Sequence, residues 1–340
     1  MADGDANPSV KRISLLFTVC CQLQERGVSM LQTIASCTLP VEETAVIKKN
    51  RLAPKDLSPD MKRIAIVTGV HGDELEGQYV CYELIRRLTR GQADLTGIVD
   101  VYPALNPLGV DAVTRQIPMY DLDMNRIFPG GESGTPWEHM AKQVIEDIAG
   151  ADLCIDIHSS NIFLREIPQV RLSSDFASKL LPYAKQLNAD FIWVGNNSSA
   201  RPSSLSYTLN SMGTPCLVVE MGAGMRITKE YGDQLLDGIF ALMARMDMWT
   251  GRVKGVSNPM VSTDGEVSII HCDKSGIFMP AIDQWIGISE GDRIGDILNV
   301  FTGEVEEEIF SPVSGTVFTL REYPVVEGGS LIARILGGGL

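Results

Sequence analysis

Histidine and aromatic side chains are scarce in this chain: there are four histidines among 340 residues, and Phe, Trp and Tyr together make up 6%. With so few imidazoles, a metal or proton-transfer site built on them has little choice of residue. Basic charge is also short. Lys and Arg number 29 against 43 Asp and Glu, a formal net charge of −14, which repels nucleic-acid phosphates and anionic lipid headgroups and argues against both as partners. A small anionic ligand stays compatible, because a few Arg can reverse the potential inside a cleft. No CxxC pair occurs among the seven cysteines (positions 20, 21, 37, 81, 154, 216 and 272), and several lie in apolar runs such as "ADLCIDIH" and "TPCLVVE". Neither a four-cysteine zinc site nor a disulfide framework is supported. Buried thiols in a reducing, cytoplasmic setting are the simplest reading. No apolar run is long enough to span a bilayer. "KRISLLFTVCCQL" has a basic flank, but no small-x-small cleavage site follows it. Residues 1–29 read as a poorly structured leader, with Met30 as an alternative start.

What is present begins near residue 61, where short apolar runs alternate with amphipathic segments. "RIAIVTGV" reads as a buried strand and "DELEGQYVCYELIRRLTRG" as a helix ending near Gly91. "GIVDVYPALNP" is the next strand, ended by Asn-Pro and followed by a Pro-, Asp- and Gly-rich loop over 106–136. "WEHMAKQVIEDIAG" is helical and "ADLCIDIHSS" a strand. The alternation continues through "FASKLLPYAKQLNA", "DFIWVG", "SLSYTLNSMG" and "TPCLVVEMGAG" to a last helix, "YGDQLLDGIFALMARMDMW". Such alternation implies an α/β fold, a mostly parallel mixed sheet with helices on both faces, whose chemistry lies beyond the carboxyl ends of the strands. Past residue 251 the composition changes. Gly becomes frequent and β-type runs recur ("EVSIIHC", "GIFMP", "RIGDILNVF", "GTVFTL", "SLIARIL"), which reads as a small all-β domain over 252–340, after a main domain over 30–251.

The stretch "VTGVHGDELEG" places His71 and Glu74 three apart where a strand gives way to a helix, a spacing that lets both touch one ion on a helix's first turn. A plain helix-start acid explains Glu74 equally well, as it does Asp73 and Glu76. His139, within a helix, and His271, at a strand end of the β-rich segment, read as surface or structural residues. His158 differs, because it follows the run "LCIDI" at a strand's carboxyl end. Glu220 ends "CLVVE" in the same way, and burial there would raise its pKa toward that of a useful base. Two His, one carboxylate and a nearby Glu are the set a zinc hydrolase uses. The loop 106–136 adds Arg115, Asn125 and Arg126, donors suited to a carboxylate.

The pieces "HGDELEG", "NPLG", Arg115, "DMNRIFPG", "DIHSS" and "VVEMG" occur in the order found in the succinylglutamate desuccinylase/aspartoacylase family, a branch of the zinc carboxypeptidase-like fold, and residues 60–250 resemble it. "GDRIGDIL" and "SPVSGTVFTL" further resemble a lipoyl- or biotinyl-carrier barrel, without the Met-Lys-Met tip of a modified lysine. The resemblance implies one Zn2+ per subunit on His71, Glu74 and His158, Glu220 as acid/base, Arg115 polarising the scissile carbonyl, and Asn125 and Arg126 holding the substrate carboxylate. Met124 stands where the family usually has Leu. The implied activity is hydrolysis of a small N-acyl (acetyl or succinyl) amino acid, N-acetyl-diaminobutyrate among the candidates. The rivals are a zinc carboxypeptidase or murein-peptide amidase and, from another class, a catalytically inactive zinc-binding module. Arg165 and Arg171, just after the third ligand, are named as specificity residues. Edge strands in the β-rich segment offer a route to a homo-oligomer.

Overall fold

A computed structural model describes residues 29–195 and 201–337. Residues 1–28 of the expected leader lie outside the described residues, and Ser29 already opens a strand. The first part of the chain runs β1 (Ser29–Thr38), β2 (Thr44–Leu52), β3 (Arg63–Val67), α1 (Glu76–Arg90), β4 (Ile98–Tyr102), α2 (Pro107–Ala112) and α3 (Pro136–Ile148). It continues through β5 (Leu153–Ser159), β6 (Leu164–Ser173), α4 (Ala177–Ala184), β7 (Phe191–Gly195), α5 (Leu205–Ser211), β8 (Cys216–Gly222) and α6 (Lys229–Arg245). Strands then dominate: β9 (Met260–Thr263), β10 (Val267–His271), β11 (Gly276–Pro280), β12 (Gly287–Ile288), β13 (Arg293–Leu298), β14 (Val305–Phe310), β15 (Gly315–Arg321), β16 (Val325–Val326) and β17 (Leu331–Leu336).

β4, β3, β5 and β8 lie side by side in that order, all parallel. They are nearly continuous apolar runs because helices cover both of their faces. On one face, Val80, Leu84 and Leu88 of α1 pack with Leu235, Ile239 and Met243 of α6 over Ile64, Ile66 and Ile155. On the other, Trp137, Met140 and Val144 of α3, with Leu205 and Leu209 of α5, cover Ala65, Val67 and Cys154. Alternate residues of β3 thus serve opposite cores, as the two-residue period of a strand requires. The described cysteines are free, and Cys81, Cys154, Cys216 and Cys272 are buried. Among the described residues no helix is long and apolar enough to cross a membrane.

Antiparallel strands flank this centre. β2 joins β4, β1 folds back on β2, and β6 runs against β8. None of β1, β2 and β6 belongs to the alternation read from the sequence. β6 is almost wholly buried yet carries Arg165, Glu166, Gln169 and Arg171, so it shows no apolar pattern. Its Pro168 falls where the register with β8 shifts, a place in a sheet that tolerates proline.

The same strand joins the two parts of the molecule. Its second half pairs with β7, and its first half pairs with β15 through Thr319↔Glu166. β15, β17 and β10 therefore prolong the main sheet, which counts 13 strands among the described residues. A second sheet of four antiparallel strands, β14-β13-β11-β16, closes over Phe278, Ile294, Ile297 and Ile335. Ile167, Phe191, Trp193, Phe318 and Leu336 form a further apolar cluster at the junction. The β-rich segment is thus hydrogen-bonded into the α/β sheet rather than hung from a linker.

Candidate active site

Leaving β3, the chain turns through Thr68–Leu75 before α1 begins at Glu76. His71 and Glu74 sit in this turn, closed by a 3.4 Å bond from the Glu74 N–H to the His71 carbonyl, not on the helix's first turn as their spacing implies. Gly72 between them backs onto α2. A Cβ there would stand 1.9 Å from the Gly109 carbonyl carbon, so only glycine lets the turn pass. At the far end of β8, a Cβ on Gly222 would strike Glu76, whose buried carboxylate accepts the Thr228 N–H at 2.7 Å. Glu76 therefore does more than start a helix: it ties α1 to the approach to α6.

His158 on β5 and Glu220 on β8 are register partners across the parallel ladder. The His71 and His158 Nδ1 atoms each lie 2.8 Å from a different oxygen of Glu74. One donor atom from each of these three buried residues lies within 4.8 Å of the others. The outer ring nitrogens face two more carboxylates: His71 Nε2 is 3.0 Å from Asp123 Oδ1, and His158 Nε2 is 3.1 Å from Asp156 Oδ2. Asp123 orients the His71 ring and keeps its proton on Nε2, which turns that Nδ1 lone pair toward Glu74, whereas Asp156 faces His158 as a charge contact without an aligned hydrogen bond.

Lone pairs aimed at a carboxylate repel it unless each ring takes a second proton or a cation lies between them. Burial opposes charge on His71 and His158, but Glu74 with Asp123, and Asp156 with Glu74, outweigh it and raise both imidazoles. Glu74, despite its burial, is held well below the ordinary carboxylate range by the two rings. Two oriented imidazoles and one carboxylate are also a donor set that fits zinc.

The loop between α2 and α3 closes one side. Arg115 reaches in from a partly exposed position, its Nη1 donating to Glu74 Oε1 at 2.8 Å. Asp123 Oδ1 also accepts the Asn125 N–H at 2.8 Å, which fixes the short 3-10 turn Met124–Arg126. Burial raises and His71 lowers the Asp123 carboxyl, leaving it at about 2. Asn125 Oδ1 accepts the Leu205 N–H at the head of α5 (2.9 Å), which sets the plane of its amide. Arg126 Nη1 donates to the Asn125 carbonyl at 2.7 Å, and burial lowers its pKa.

His71, Glu74, His158, Arg115, Asn125 and Arg126 line a cavity of about 380 Å³, near the lower end of the ~300–1,000 Å³ typical of small-molecule pockets. Glu220 lies in its wall, with Oε1 3.3 Å from Arg171 Nη1. Burial pushes its carboxyl up to about 7 against the opposing pull of Arg171 and His158. Arg165, in contrast, does not line the cavity. Its Nη2 donates to Asp283 Oδ1 at 2.9 Å, while Leu164 and Glu166 on either side do line the cavity. Strand alternation turns residue 165 away, and the register shift between Glu166 and Gln169 brings Arg171 back in. His139 and His271 are exposed and lie outside the site.

Four further residues complete it: Asp123, Asp156, Glu166 and Arg334. Asp156 stands two residues before His158 on the same strand face, a signal the sequence offers. Glu166 and Arg334 meet only through the register of β6, β15 and β17. Asp123→Asn is expected to weaken zinc retention about 10–100-fold, read by competition with a chelating dye. Unchanged affinity would show that Asp123 does not orient the His71 ring.

An α/β sheet with a histidine–carboxylate–histidine cluster in a cavity at its carboxyl edge has the layout of a metallohydrolase domain. Residues 60–246 match the succinylglutamate desuccinylase/aspartoacylase catalytic domain. The chain belongs to this family. A curated relative, the N-alpha-acetyl-L-2,4-diaminobutyric acid deacetylase of Halomonas elongata, is 23% identical over 280 residues, 80% of this chain and 81% of the relative. The product-bound ectoine utilization protein EutE (DoeB) from Ruegeria pomeroyi has a TM-score of 0.78 at 20% identity, over 91% of this chain and 95% of that one. A succinylglutamate desuccinylase/aspartoacylase from Rhodobacter sphaeroides has a TM-score of 0.75 at 21% identity, over 91% and 96%. Likeness to solved structures at these identities shows the fold, which extends through the β-rich segment.

Proposed function

We propose that the protein is a zinc-dependent deacylase that hydrolyses the amide bond of an N-acyl amino acid, releasing a carboxylate and a free amine. The observation that carries this reading is the convergence of His71, Glu74 and His158 beside Glu220, their neighbour in the cavity wall. The family and the named relatives support acetyl or succinyl as the acyl group, and N-acetyl-diaminobutyrate as one substrate. His71, Glu74 and His158 would hold one zinc ion, which when bound supplies Lewis acidity, enough to bring water's pKa toward ~7.

The remaining steps belong to the chain's own residues. Glu220 accepts a proton from the attacking water and passes it to the leaving nitrogen; a carboxyl pushed up to about 7 suits both transfers near neutral pH. Arg115, partly exposed at the cavity rim, stabilises the charge that develops on the scissile carbonyl oxygen. Arg126 and the Asn125 amide hold the amino acid's carboxylate, in a fork-and-donor arrangement that orients the amide. A small cavity with such donors suits one amino acid derivative better than a polypeptide.

The test is a panel of N-acetyl and N-succinyl derivatives of aspartate, glutamate and 2,4-diaminobutyrate, set beside short peptides, with amine release followed for each. Turnover of at least one N-acyl amino acid in preference to the peptides is expected. Hydrolysis of peptides alone would point to a zinc carboxypeptidase or murein-peptide amidase. Stoichiometric zinc without any hydrolysis would point to an inactive binding module. Either result overturns the proposal.

A further inference from the structure

We propose that Arg334, contributed by the β-rich segment, is a positioning residue for the hydrolysis, holding the Glu220 carboxylate in place through Glu166 and Arg171. The inference rests on the reading of Glu220 as the base. Its starting point is a row of side chains set by backbone register. Glu166 on β6 pairs with Thr319 on β15, and Thr319 pairs with Arg334 on β17. Three neighbouring strands therefore bring these residues together at the cavity wall, and Glu166 and Arg334 both line it.

Glu166 is 1% exposed and fully engaged. Arg171 Nη2 donates to both of its oxygens at 2.8 and 2.7 Å, Arg334 Nη1 donates to Oε1, and Thr319 Oγ1 adds a bond of 3.3 Å. Arg171 spends its other terminal nitrogen on Glu220 Oε1, at 3.3 Å. Both guanidinium groups lie against Trp193, 5.5 and 5.7 Å from its ring centroid. Trp193 is anchored in turn by its Nε1–H to Asp264 at 2.7 Å. Both arginines also leave Nε buried without a partner. Each guanidinium is thus placed for its terminal nitrogens at the expense of Nε.

Two carboxylates face two guanidinium groups here, and the balance explains why Arg334 matters to a base it does not touch. A single Arg171 cannot neutralise two carboxylates in a buried site. While Arg334 holds Glu166, Arg171 has a nitrogen to spare for Glu220. Without Arg334, the uncompensated Glu166 draws Arg171 toward itself, and the 3.3 Å contact to Glu220, longer than Arg171's two bonds to Glu166, is the first to open. A base displaced by about 1 Å can lower the rate by ~10²-fold. The β-rich segment would then be a working wall of the site, not only a structural extension of the sheet.

The experiment compares wild type, Arg334→Met, Glu166→Gln/Arg334→Met and Glu220→Gln. It uses zinc-loaded full-length protein and the N-acyl amino acid of the panel that is turned over fastest. Arg334→Met is expected to lower kcat about 10–100-fold, with KM and zinc content unchanged. Adding Glu166→Gln is expected to restore most of that loss, because a neutral amide no longer competes for Arg171; a packing role for Arg334 would not be rescued this way. Crystal structures of both variants give an arm independent of any substrate: the Arg171–Glu220 contact should open in the single variant and close in the double. If Arg334→Met does not fold, Arg334→Gln, which also removes the charge but keeps a polar side chain, takes its place in both arms. An unchanged kcat, a rise in KM alone, no rescue, or an intact Arg171–Glu220 contact in the Arg334 variant would overturn the inference. Full activity in Glu220→Gln would instead overturn the role of the base, leaving the crystallographic arm to judge the contacts.

Discussion

Glu220→Gln is expected to bind a full complement of zinc and to lower kcat by about 10²–10⁴-fold, the range that proton transfer by a positioned side chain contributes. Glu220 is not among the three residues that face one another around Glu74, so its replacement should leave zinc binding alone. The substitution keeps the side chain's volume and a hydrogen-bond acceptor for Arg171, so the cavity should keep its shape. What it removes is the ability to take a proton. The pH profile gives a second readout, and its sign follows from the chemistry. The base must be ionised to accept a proton, so kcat/KM falls as pH drops through the Glu220 pKa. Burial pushes that value up to about 7, and a bound dication nearby pulls it down. The acid limb is therefore expected at or below pH 7, and it should vanish from the residual rate of the variant. Wild-type turnover in Glu220→Gln, or an acid limb that persists unchanged, would remove Glu220 from the mechanism.

Glu74→Ala is expected to lose zinc and activity together. Glu74 is the hub of the cluster: it lies 2.8 Å from both imidazole Nδ1 atoms and accepts from Arg115 Nη1 at the same distance. Its removal leaves three cationic or potentially cationic groups in the cavity without their shared counter-charge. Even an outer partner of a ligand is worth about 10–100-fold in metal affinity, so loss of one of three ligands should exceed that. Thermal unfolding with and without zinc reads the change directly. At zinc about 100-fold above the wild-type Kd, wild type should gain ~2.7 kcal/mol in stability, and the variant little or none. Elemental analysis after dialysis gives the stoichiometry. A variant with the full zinc-induced stabilisation would show that the ion is held elsewhere.

The parts of the fold that were legible in the sequence are those where burial is simple. β3, β5 and β8 are short apolar runs because helices pack on both of their faces, and His71, His158 and Glu220 stand out as the residues that end or leave such runs. Glu74 needed the resemblance beside it, since a helix-start acid is as good a reading of its position. In sequence, the turn that carries His71 and Glu74 reads as helix because Asp73, Glu74 and Glu76 are helix-start residue types. Only the close approach of Gly72 to α2 shows that the backbone must pass as a tight turn.

β6 was not legible for the opposite reason. Buried Glu166, Gln169 and Arg171 interrupt its apolar residues, and Glu166 is satisfied by Arg334 and Thr319 from strands more than 140 residues further on, so a long-range network breaks the apolar pattern. Arg165 and Arg171 look equivalent in the sequence, and the register shift between Glu166 and Gln169 sends one to Asp283 and the other to Glu220. Asp123 lay within the loop marked for its arginines. Its part in orienting His71 depends on a fold-back that neighbouring residues do not announce.

Amide hydrolysis before and after removal of the metal tests the central claim most directly. The protein is stripped with a chelator, dialysed, and reloaded with zinc in increments, with amine release followed on the fastest N-acyl amino acid of the panel. Activity should fall to background on stripping and return in proportion to zinc, reaching its plateau at one ion per chain. Hydrolysis that persists in the stripped protein, or a chain that binds one zinc and hydrolyses none of the N-acyl amino acids, would contradict it.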